Sequence, residues 1–108
     1  MSEIKLIVRD SKDKTKIAKT YTAESYELFM GTIDDFIEII DLEKINDKNE
    51  VAKMALKSYQ KLKPIVMDVF PELSNEEYRN IAITDMVMTI VQVGTSIVNN
   101  LEILKSKN

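Results

Sequence analysis

The sequence predicts a mainly α fold: an N-terminal β-hairpin followed by about four helices in one small domain. Three observations predict it. Apolar residues recur at three-and-four spacing over most of the chain, which is the mark of helices with one buried face. Only two Gly and two Pro occur in 108 residues, too few for a loop-rich fold. The first residues alternate at period two instead, as a half-buried strand does.

The elements follow in order. In residues 3–9, Ile4, Leu6 and Val8 alternate with polar or smaller partners, so a strand is expected. Asp10-Ser11-Lys12-Asp13-Lys14 reads as a turn. Residues 16–21 read as a second, weaker strand ending at Tyr21, which makes 1–21 a hairpin arm. Such an arm is marginal alone, so it must pack on helices or pair with another chain.

A helical region is expected over 22–104, with a tail at 105–108. Thr22 is placed as N-cap of the first helix, with the stripe Tyr26, Phe29, Met30, Ile33, Phe36, Ile37 and Ile40, ending near Glu43. The second helix is expected from about Asn49, with a kink or break near residue 63 because Pro64 cannot donate a backbone bond. Pro71 stops it. Ser74 and Glu77 form a capping box for a short third helix over roughly 75–81. Thr84 is the expected cap of the fourth helix, with Val87, Ile90, Val91, Val98, Leu101 and Leu104 on its apolar face. The β-branched stretch Met88–Val93 keeps a strand open as an alternative there. Gly94 is read as a bend or a close-contact point.

Composition restricts function. The chain has no Cys and no His. Disulfides and thiolate sites are excluded, and the commonest general base and zinc ligand are missing. The two Gly, at 31 and 94, build no phosphate-cradling loop. No motif of catalysis is met, so no enzyme activity and no cofactor are expected. The net charge of −3 speaks against nucleic acid as a partner. No apolar run is long enough to cross a membrane, and Met1-Ser2-Glu3-Ile4-Lys5 lacks the layout of a secretory signal, so a cytoplasmic protein is expected.

Charge is segregated. Residues 1–20 and 48–63 are basic, whereas 21–47 are acidic. Asp34, Glu38 and Asp41 fall at i, i+4 and i+7 but read as a solvated face, because one helix face cannot wrap a hard cation. Lys53, Lys57 and Lys61 form an i, i+4, i+8 stripe. It serves either as a partner-facing rim or as an ordinary solvated face paired with the acidic first helix. The fourth helix carries more apolar positions than one stripe needs, which points to a protein contact.

Three stretches carry a resemblance. Lys19-Thr20-Tyr21-Thr22-Ala23 leads from a basic arm into the first helix. Ile65-Val66-Met67-Asp68-Val69-Phe70 precedes Pro71-Glu72-Leu73-Ser74-Asn75-Glu76-Glu77-Tyr78. A long helix over Ile83–Val98 then follows. From about residue 17 to residue 101 this layout resembles the tail assembly chaperones of long-tailed bacteriophages and prophages. Pro71 stands where that family commonly has Gly, and Pro64 interrupts the central helix. The resemblance implies a chaperone that binds the tape measure protein, keeps it soluble, helps recruit major tail protein and self-associates. On that reading Val66, Phe70, Val87, Ile90 and Val91 are candidate walls of an apolar client groove, with Lys53, Lys57 and Lys61 as its rim. The alternative is a small helical adaptor or antitoxin-like regulator with one globular partner.

Overall fold

A computed structural model describes residues 3–106, with side chains through Asn100. The expected order of hairpin then helices is found. Strands β1 (Glu3–Arg9) and β2 (Ile17–Glu24) pair antiparallel, with Leu6 opposite Tyr21 and an irregularity between Val8 and Arg9. Their connection is held by two aspartates. The Asp10 carboxylate accepts from the Lys12 N–H at 2.8 Å, and Asp13 accepts from the Thr15 N–H and hydroxyl at 3.1 and 2.6 Å. This is the Asx-turn chemistry that favours Asp in loops.

The first helix starts later than the sequence suggests. Thr22 is no N-cap: it continues β2 opposite Lys5. Glu24 and Glu27 instead make a reciprocal capping box around a 3-10 turn at Ser25–Glu27. The chain then runs extended through Leu28 and Phe29 before α1 (Met30–Ile39). Tyr26, Phe29 and Met30 therefore leave the apolar stripe and face solvent, at 68%, 75% and 79% exposure. Phe36 and Ile40 hold the buried face. The helix stops at Ile39 and not near Glu43, because Ile40 turns extended and Asp41 caps a 3-10 turn at Leu42–Lys44. Asp41 is thus off the helix, so Asp34, Glu38 and Asp41 do not share a helical face.

The second expected helix is two helices, α2 (Lys48–Lys57) and α3 (Tyr59–Val69). The break falls at Ser58 and not near residue 63. Asp47 caps α2 by accepting from the N–H groups of Asn49 and Glu50. Pro64 stays inside α3 on its exposed side, where the Gln60 carbonyl that loses a donor can turn to water.

Helix α4 (Asn75–Arg79) begins at the expected capping box. Ser74 Oγ accepts from the Glu77 N–H at 3.1 Å, and Glu77 Oε1 accepts from the Ser74 N–H at 2.9 Å. Tyr78 anchors α4 to α3: its ring stacks on Tyr59 at 4.8 Å, and its hydroxyl donates to the Tyr59 carbonyl. Burial pushes the Tyr78 hydroxyl far above its ordinary pKa, so it stays protonated as a donor.

Helix α5 (Ile83–Ser106) is the long element. Thr84 lies within its first turn and does not cap it. Met88–Val93 is helical, so the strand alternative fails. Leu101, Leu104 and the expected tail at 105–108 are beyond the described side chains, although the helix backbone extends to Ser106.

Gly94 is a close-contact point. A Cβ there would fall far inside van der Waals distance of Ile45 Cδ1 and Cγ1. The chain after α1 thus crosses directly over α5.

The hairpin lies on α5 of its own chain. Alternation turns Ile4, Leu6, Val8, Tyr21 and Ala23 inward, where they join one core with Phe36, Val51, Leu62, Val66, Tyr78, Ile90 and Ile97. Each Val, Leu, Ile or Phe among them contributes about 1.5–3 kcal/mol on full burial. Polar pins fix the register. Gln92 Oε1 accepts from the Lys5 N–H at 2.6 Å, and the Thr89 hydroxyl donates to the Lys5 carbonyl at 2.7 Å. Arg9 Nε donates to Asp85 Oδ2 at 2.9 Å.

Candidate docking cleft

Where β2 ends, the extended linker, the start of α1 and the end of α3 leave a gap between them. The gap is an open cleft of about 910 Å³. β2 contributes Tyr21 and Thr22, the 3-10 turn Glu27 and the linker Phe29. One turn of α1 presents Gly31, Thr32 and Asp35, while α3 and the chain after it supply Asp68, Val69, Phe70 and Glu72. Thr32 Oγ1 reaches Asp68 Oδ2 at 3.5 Å and ties α1 to α3.

The floor is apolar. Phe70 is buried, with its ring 6.2 Å from that of Tyr21 at a 57° tilt. The rim is acidic: Glu27, Asp35, Asp68 and Glu72 line the cleft, and among the described residues no Lys or Arg does. Tyr26 in the 3-10 turn, Phe29 in the linker and Met30 at the start of α1 add exposed apolar surface, and Phe29 among them lines the cleft. An apolar floor with a charged rim is the make-up that protein and ligand contacts use. Among the described residues, no three Asp or Glu side chains come together as metal ligands would.

The wall of the cleft next to α4 is stiffened by Tyr21. Its hydroxyl donates to Glu77 Oε1 at 2.7 Å, and the Lys19 ammonium sits 4.5 Å from its ring centre. The Tyr21 hydrogen bond, then the Ser74 N–H, hold the Glu77 carboxyl below its ordinary pKa.

The sequence-predicted groove is not where these residues meet. Val66, Phe70, Val87 and Ile90 are core residues at 2–6% exposure, and Val91 is half-buried. Of the five, Phe70 alone lines the cleft, from its buried floor, and Val66, Val87 and Ile90 are enclosed elsewhere in the core. Lys53, Lys57 and Lys61 are exposed, but the break at Ser58 divides them between two helices. Lys53 pairs with Glu50 at 3.4 Å.

Phe29, Met30, Asp35, Asp68 and Glu72 were not singled out by sequence as one site. The signal that could have found them was the acidic excess over 21–47, which includes Glu27 and Asp35. The chain matches no family model, and no curated protein or solved structure is significantly similar to it.

Proposed function

We propose that this protein is a non-catalytic protein-binding module that acts as a tail assembly chaperone. It holds the tape measure protein soluble in the host cytoplasm and helps recruit major tail protein around it, with several copies along one client. The observation that carries the protein-binding part is the cleft itself, with exposed Phe29 on its lining and exposed Tyr26 and Met30 within three residues of Phe29. Large apolar side chains left in water around a groove favour an interaction surface. The tail-assembly part is supported by the resemblance of residues 17–101, above all the run from Ile65 through the capped turn at Ser74 to Tyr78.

The test is co-expression with a long helical reading frame encoded directly downstream. The expected result is that this client becomes soluble only with the protein present and co-elutes with it as a large multi-copy complex. A client whose solubility is unchanged, with the protein eluting alone, overturns the chaperone reading. A fixed one-to-one complex with a small globular partner replaces it with the adaptor reading.

A further inference from the structure

The two edges of the hairpin differ. In an antiparallel pair, facing residues alternate between exchanging hydrogen bonds and turning them outward. Lys5 turns its N–H and C=O to Gln92 and Thr89, and the Arg9 N–H goes to the Asn80 carbonyl at 2.9 Å. The outer edge of β1 is therefore tied to α5 at Lys5 and to Asn80 at Arg9. By the same alternation, Lys5 faces Thr22 and Ile7 faces Thr20, so Thr20 and Thr22 turn their backbone groups away from β1. Among the described residues no other strand lies beside β2, and Thr20 and Thr22 are exposed. An unpaired edge of this kind is a template for another strand.

The cleft lies on the inner side of that open edge, since Tyr21 points inward and lines it. A strand added to β2 would turn the inward side chains beside Tyr21 and Thr22 toward the cleft. There it would meet the apolar floor and the carboxylates of Glu27, Asp35, Asp68 and Glu72.

We propose that β2 and the cleft together bind an extended segment of a partner protein by strand addition. The segment carries Lys or Arg and apolar residues on its inward side. Main-chain bonds to Thr20 and Thr22 supply affinity, and the acidic rim selects the inward cations. The inference rests on the protein-binding reading above and assigns it a site and a partner chemistry.

A random library of displayed peptides, about ten residues long to match a strand, is selected on the folded full chain. Backbone amide NMR with the best synthetic peptide then locates it. The expected peptides alternate Lys or Arg with Val, Ile or Tyr, contain no Pro, and shift the amides of Thr20, Thr22 and Asp35. Joint Asp35→Lys and Asp68→Lys substitution weakens them at least about tenfold, as does N-methylation of alternate peptide amides. Glu38→Lys, outside the cleft, changes affinity by less than about threefold.

Peptides that bind only elsewhere, or that tolerate N-methylation, overturn strand addition while leaving a protein-binding role standing. Occupation of the edge by a second copy, seen as a concentration-dependent dimer whose amides shift at Thr20 and Thr22, overturns the proposed occupant. No selected peptide at all, together with an unaffected client, overturns both readings.

Discussion

The Tyr21 hydroxyl donates to Glu77 Oε1 at 2.7 Å across 56 positions of sequence, on the same oxygen that closes the capping box with the Ser74 N–H. One carboxylate thus caps α4 and fastens it to the hairpin. Both bonds favour the ionised form, so the folded-state pKa lies below the ordinary 4.5. The sign follows: this stability is complete above about pH 5 and is lost as pH falls through the folded-state value. Urea midpoints measured between pH 7 and pH 3 are expected to fall on acidification. Glu77→Gln is expected to lose about 1 kcal/mol at pH 7 and to show a shallower acid decline. An unchanged acid slope would show that other carboxylates govern it.

The pairing of Arg9 with Asp85 joins β1 to the first turn of α5, where a carboxylate also suits the helix dipole. The Asp85 side chain is only 10% exposed. Asp85→Asn and Arg9→Met are each expected to cost about 1–3 kcal/mol, and the double variant less than their sum. Chemical denaturation of the cycle measures the coupling, and strict additivity would show that the pair contributes no mutual energy.

Gly94 gives way to Ile45, so Gly94→Ala sets helix propensity against a clash. Alanine gains about 1 kcal/mol in a helix interior, whereas overpacking costs about 1–3 kcal/mol. Ile45 is buried and has little room to move. A net loss of about 1 kcal/mol is expected. Ile45→Val removes Cδ1 and should recover part of it in the double variant, as thermal unfolding would reveal.

Binding and stability should separate by position. Phe29→Ser and Met30→Ser are expected to leave stability within about 0.5 kcal/mol and to weaken partner capture. Phe70→Ala and Ile90→Ala are expected to cost about 2–5 kcal/mol, because both side chains are enclosed. Circular dichroism melts beside a client-solubility assay would distinguish the two classes. Equal destabilisation by Phe29→Ser would mean that its ring supports the fold.

Local signals were legible where local chemistry decides. The Ile4, Leu6 and Val8 alternation placed β1, and Ser74 with Glu77 placed α4. Tyr26, Phe29 and Met30 misled because their spacing extends the stripe of α1 backwards, while the Glu24–Glu27 capping box holds that stretch off the helix. Val66, Phe70, Val87 and Ile90 were read as groove walls because periodicity identifies an apolar face but not what covers it. The cleft was hidden for a related reason. Asp35 and Asp68 are far apart in sequence, and only the packing of α1 on α3 brings them to one rim.

The bonds on the outer edge of β1 also bear on how the sheet could grow. With Gln92 and Thr89 held at Lys5 and Asn80 at Arg9, a strand adding on that side would have to displace them, so growth beside β2 is favoured. Two copies that met through β2 would use up each other's easier edge and favour a closed pair. Runaway strand stacking into fibres needs two sticky edges per molecule, and this hairpin keeps one of its two edges engaged with its own chain.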